Sequence, residues 1–126
     1  MAAFSRLLVV CSDLDRSKQF YRTILQLDLL TDASPLWVEF ALGDGNALAL
    51  YPANAMLPVR RGSVQMGFIV EDVDAFVIAA MTAGAEISQE PYFERSGRLA
   101  VIADPDGYPI QIATPTELAE RPWPQR

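Results

Sequence analysis

Cys11-Ser12-Asp13-Leu14-Asp15 and Val70-Glu71-Asp72-Val73-Asp74 are one short phrase written twice in a chain of 126 residues. In each copy an apolar run, Ser5 to Cys11 and then Ser63 to Val70, ends at residues that start a helix. Ser12 and Asp13 are the N-cap candidates of the first copy, able to accept hydrogen bonds from the unpaired amides of the first turn, and acidic charge suits the positive end of the helix dipole. Apolar residues then recur at helical spacing. Leu14, Phe20 or Tyr21, Ile24 and Leu25 follow the first copy, and Val73, Phe76, Val77, Ala80 and Met81 the second. This spacing predicts one helix ending near Leu27 and another closed by a left-handed cap at Gly84.

Outward from the two helices the pattern is extended. Leu27 to Thr31, Leu36 to Leu42 and Ala47 to Tyr51 read as strands, the last two joined by the turn signal Gly43-Asp44-Gly45-Asn46. After the second helix, Ala85 to Ser88, Tyr92 to Glu94, Arg98 to Ala103 and Tyr108 to Ala113 are predicted strands. Asp104-Pro105-Asp106-Gly107 joins the last pair, with proline and glycine where a type I turn takes them. The order β-α-β-β-β therefore occurs twice, which predicts a pseudo-symmetric domain built from two copies of one unit. Module 1 is expected over about 4–52, a proline-bearing linker over about 53–62, module 2 over about 63–115 and an extended tail over 116–126.

Composition narrows the function. Ten basic and sixteen acidic residues give a net charge of −6 with no basic stripe, so a nucleic-acid partner is not expected. No apolar run approaches the roughly 20 residues of a membrane helix, and the N-terminus lacks a signal core. The single cysteine, Cys11, fits a reducing compartment, and a cytoplasmic location is expected. By alternation its thiol packs beneath the helix as a buried, inert group. There is no histidine. That removes the Ser-His-Asp and Cys-His nucleophile systems, the histidine base and every histidine-dependent metal site.

Ser12-Asp13-Leu14-Asp15-Arg16-Ser17 with Phe20-Tyr21-Arg22 and Leu25, then Phe68 through Asp74, Ala83-Gly84-Ala85 and Asp104-Pro105-Asp106-Gly107, stand in an order that resembles a known family. It is the vicinal-oxygen-chelate superfamily, the glyoxalase/bleomycin-resistance/dioxygenase group. The resemblance implies an α+β fold in which two βαβββ modules, in pseudo-twofold arrangement, form a curled mixed sheet around a cleft. In active members a divalent metal sits there, held by the first and last strands of each module. Those positions fall here on Arg6, Ala49, Gln65 and Gln111. A guanidinium has no lone pair to give, alanine has no ligand atom, and two glutamines offer only weak neutral oxygens. The expectation is therefore no metal, no cofactor and no catalytic residue. The resemblance then turns to the family's metal-free branch, whose members bind and sequester a small molecule, often an aromatic antibiotic, and usually form homodimers.

Strand alternation assigns the remaining side chains. Arg6, Leu8 and Val10 face away from the first helix, as do Gln65, Gly67, Ile69 and Gln111 from the second. Trp37 and Glu39 share one face opposite Val38, Phe40 and Leu42. The expected ligand-binding set is Arg6, Trp37, Glu39, Tyr51, Gln65, Tyr92, Arg98 and Gln111. Arg6, Gln65 and Gln111 would meet a carbonyl, amide or carboxylate, Trp37 a planar ring and Glu39 a cationic group. Tyr51 shares the parity of Ala49, and Tyr92 and Arg98 join by element order. The expected partner is a small aromatic or cationic ligand, the latter drawn by the net negative charge. Two rivals stand beside this reading. One is a lyase, isomerase or dioxygenase-like enzyme of the same fold with an atypical or absent metal site. The other is a degenerate paralogue acting as a partner or regulatory subunit, its cleft filled by its own side chains, an Arg6–Glu39 salt bridge among them.

Overall fold

The structure, a computed structural model, describes residues 1–62, 64–94 and 97–114. The expected tail lies outside the described residues. The chain forms two compact units, Met1–Arg61 and Gly62–Arg126. In the first, β1 (Arg6–Cys11) leads to α1 (Leu14–Gln19) and a π-helical turn (Phe20–Ile24), then β2 (Leu29–Ala33), β3 (Trp37–Gly43) and β4 (Asn46–Pro52). In the second, β5 (Met66–Ile69) and α2 (Val73–Thr82) precede β6 (Glu86–Glu94), β7 (Gly97–Ala103) and β8 (Pro109–Ala113). Each unit is one βαβββ module with its own four-stranded mixed sheet, ordered β1-β4-β3-β2 and β5-β8-β7-β6. The first strand of each module pairs parallel to the last, and the other pairings are antiparallel. This is the α+β architecture that the doubled sequence phrase predicts.

The helix starts are near copies. Asp13 has φ −139° and ψ 103° and accepts from the Arg16 amide at 3.1 Å. Asp72 has φ −140° and ψ 105° and accepts from the Ala75 amide at 3.0 Å. The ends differ. In module 1 the helix loosens into a π-turn, with the Leu25 amide donating to the Phe20 carbonyl, and it stops short of the predicted Leu27. In module 2, Gly84 takes φ +95°, the left-handed conformation that glycine adopts without a Cβ penalty, and the Ala85 amide reaches the Ala80 carbonyl at 2.9 Å.

Each helix covers one face of its own sheet. α1 packs on β4 and β3, burying Leu14, Phe20 and Tyr21 with Val9, Cys11, Val38, Phe40, Leu48 and Leu50. Tyr21 stands edge-on to Phe20 at 5.1 Å and tilted to Phe40 at 6.5 Å. α2 packs on β6 and β7, and its Val73, Val77 and Ala80 are buried together with Ala100, Ile102, Ile110 and Ile112. Burying a large aliphatic or aromatic side chain stabilises by roughly 1.5–3 kcal/mol, so this face is fixed in both modules. A one-residue slip would turn the apolar set out of the core, so the opposite face is set as well.

Two strands differ from the sequence reading. β6 is continuous where two short strands are predicted, with register shifts between Ile87 and Gln89 and between Gln89 and Tyr92. Its Pro91 is tolerated because β6 is an outer strand, where a missing amide breaks no ladder on the open side. β5 begins at Met66, which leaves Gln65 just ahead of the strand, exposed.

Candidate functional site

On the module 1 face turned away from α1, the ladder sets Arg6 beside Ala47, Leu8 beside Ala49 and Val10 beside Tyr51. On the other flank of β4, Glu39 lies beside Ala49 and Ala41 beside Ala47. β1 and β3 are thus two strand spacings apart, about 10 Å. Only the methyl groups of Ala47 and Ala49 lie between them on this face. The long Arg6 side chain crosses these alanines, and its Nη2 meets Glu39 Oε2 at 3.4 Å. The two ends are unequally shielded: the Arg6 side chain is 45% exposed and that of Glu39 13%. One alternate step further along the strands, Trp37 and Tyr51 are stacked, with ring centroids 6.2 Å apart and planes 14° from parallel. Arg6, Glu39, Trp37 and Tyr51 are therefore brought together on one sheet face.

Module 2 builds the corresponding face differently. Gly67 pairs with Gln111, and Val101 flanks Gln111 on the other side. A Cβ at position 67 would stand 3.7 Å from Gln111 Oε1, so the amide lies over the glycine. Ile69 beside it is 61% exposed, and Tyr92 pairs with Leu99 on the same face. The central strands of this face thus carry an amide among apolar groups.

Arg98 of module 2 is engaged within its own module. It pairs with Phe93 in the ladder, and its neighbour in alternation, Ala100, faces Ile112 on the helix side. Its guanidinium takes Asp74 of α2 in a two-pronged bond, Nε to Oδ2 at 2.8 Å and Nη2 to Oδ1 at 2.9 Å, and lies 4.5 Å over the Phe93 ring. Those hydrogen bonds hold the Asp74 carboxyl below its ordinary range and raise the guanidinium correspondingly. Arg98 therefore fastens α2 to its sheet. Module 1 has a counterpart of reversed polarity, Lys18 of α1 to Asp32 of β2 at 2.9 Å. The Ser34 hydroxyl first, and then Lys18, bring Asp32 down to about 2.

The donors present do not fit the divalent ion that the family resemblance implies. In module 1 the Glu39 carboxylate is engaged by Arg6, and Ala49 is fully buried with no donor atom. In module 2 the corresponding residues, Gln65 and Gln111, are neutral amides. Among the described residues, no group of three or more His, Cys, Asp or Glu side chains can hold a metal. The alternation Ala47-Leu48-Ala49-Leu50 signals the small residues over which Arg6 crosses; its meaning emerges only from the register.

Comparison with known proteins agrees with this fold. The family model described as Glyoxalase/Bleomycin resistance protein/Dioxygenase superfamily matches residues 3–112. Among solved structures, lactoylglutathione lyase from Agrobacterium tumefaciens superposes with a TM-score of 0.71 at 20% identity, covering 99% of this chain and 98% of that one. A glyoxalase-related enzyme from Fulvimarina pelagi gives 0.78 at 20% identity, covering 90% and 88%. TnmS3, an antibiotic-binding protein from Streptomyces sp. CB03234, gives 0.74 at 27% identity, covering 90% and 96%. No curated protein sequence matches the chain.

Proposed function

We propose, from the premise that this chain belongs to the glyoxalase/bleomycin resistance protein/dioxygenase superfamily, that it binds a small planar molecule without a metal and without changing it chemically. The observation that carries this reading is the Trp37–Tyr51 stack set beside the Arg6–Glu39 pair on one sheet face. Aromatic surface for stacking, next to a few oriented polar groups, is the usual make-up of a small-molecule site. Antibiotic binding by the similar TnmS3 lends the sequestering role support. Gln65, Tyr92 and Gln111 of module 2 belong to the same proposal as ligand contacts within their own module. So do a homodimeric assembly and a reducing, cytoplasmic setting, the latter supported by the lone cysteine.

Isothermal titration with planar aromatic compounds tests the reading. Binding is expected in metal-free buffer, and Trp37→Ala should weaken it on the order of tenfold, the scale of losing one aromatic contact. Unchanged affinity in that variant would move the site elsewhere. A tightly held divalent ion, one per chain, in protein purified without chelator would favour the enzymatic reading of the fold instead.

A further inference from the structure

Resting on that reading, we infer that the ligand is a planar aromatic acid, bearing a carboxylate or acidic phenol, and that Arg6 is the residue that selects it. The charges on this face are unequal in access, since Glu39 is mostly shielded and Arg6 is the more open end of the pair. A ligand approaching the face therefore meets a guanidinium before it meets a carboxylate. Glu39 serves as the positioning residue that holds that guanidinium across β4.

The chain contains its own standard for a fully committed arginine. Arg98 grips Asp74 with two nitrogens at 2.8 and 2.9 Å, the spacing of strong charge-assisted bonds. Arg6 meets Glu39 in an ion pair at 3.4 Å, longer than either. The planar fork of a guanidinium has five N–H donors, so Arg6 can take a second carboxylate while keeping the first.

Spacing supplies the second half of the argument. The guanidinium is drawn toward Glu39 and Ala49, and the stacked rings lie at Trp37 and Tyr51, one alternate step along, about 7 Å. A fused two-ring acid lying on the aromatic pair can place its carboxylate at Arg6. The net charge of −6 acts oppositely on an anion. That field is screened over about 8 Å at physiological ionic strength, whereas the guanidinium acts at contact. The inferred ligand thus departs from the cationic one expected from Glu39 and the net charge.

Three matched probes test this by calorimetry: 2-naphthoate, 2-naphthylmethanol and 2-naphthylmethylammonium, each against wild type, Arg6→Gln and Trp37→Ala. Wild type should bind the naphthoate on the order of tenfold more tightly than the ammonium. Arg6→Gln should abolish that preference, with an unchanged circular dichroism spectrum and urea midpoint showing that the variant is folded. Trp37→Ala should weaken all three alike. An ammonium probe bound as well as the naphthoate, or a preference that survives Arg6→Gln, would overturn the inference while the binding reading stands. Absence of binding by all three, or affinities indifferent to Trp37→Ala, would overturn the binding reading and the inference with it.

Discussion

The two βαβββ modules match to within two degrees where their helices begin, yet share little on the sheet face turned away from those helices. Module 1 puts an ion pair and a stacked aromatic pair there, and module 2 puts Gln111 over Gly67 among apolar neighbours. Even the pairs that tie each helix to its sheet have exchanged partners, with a helix lysine and strand aspartate in one module and a helix aspartate and strand arginine in the other. The difference separates two kinds of constraint. Capping and close packing tolerate few substitutions, so those positions remain alike. The outward face carries no such demand, and each copy is free to hold different chemistry.

The largest test of this contrast is on stability. Phe40→Ala should cost about 3–5 kcal/mol and Ile110→Ala about 2–5 kcal/mol in urea unfolding, because both side chains are fully buried on the helix side. Gln111→Ala, on the other face and exposed, should stay within roughly 0.5 kcal/mol. A Gln111→Ala loss as large as that at Ile110 would break the division of the sheet into a packed and a free face. Next in size are the caps. Asp13→Ala and Asp72→Ala should each cost about 1 kcal/mol in the same assay. Clearly unequal losses would mean that the matching geometry conceals different energetics.

The smallest effect concerns the helix-to-sheet pairs. Asp32 should titrate near 2 by NMR, and Ser34→Ala and Lys18→Ala should each move it upward. Asp74 should titrate below its ordinary 3.8 and rise in Arg98→Gln. Both carboxyls lie lower in the folded chain than in the unfolded one. Their stabilisation is therefore complete above the unfolded value and drains as pH falls through the folded one, between about 4 and 2 for Asp32. Both sites are solvent-exposed, so the change in unfolding midpoint should be slight.

Much of this was legible in the sequence, and the exceptions have physical causes. The repeated Asp-x-Asp phrase marked both helix starts, and alternation placed Arg6, Leu8, Trp37, Glu39 and Gln111 opposite the buried sets. The side of the sheet on which Arg98 lies was not legible, because β7 is apolar on both faces. Leu99 and Val101 alternate with Ala100 and Ile102, so the strand itself carries no signal for which way Arg98 points. The ladder decides the matter, since Ala100, one alternate step along, pairs with the buried Ile112. The early end of the first helix was equally hidden, since a π-turn at Phe20 leaves the apolar spacing of Ile24 and Leu25 unchanged. The Arg6–Glu39 contact was foreseeable as an alternative, but its unequal exposure was not, because shielding depends on neighbours that sequence distance does not reveal.

The central claim is that the outward sheet face of module 1 is the ligand face. A two-dimensional amide NMR titration with 2-naphthoate tests this directly. The account predicts the largest shifts in the strands carrying Arg6, Trp37, Glu39 and Tyr51, with the Trp37 indole signal moving in step. Shifts absent from those strands, or concentrated around Gly67 and Gln111 alone, would contradict it.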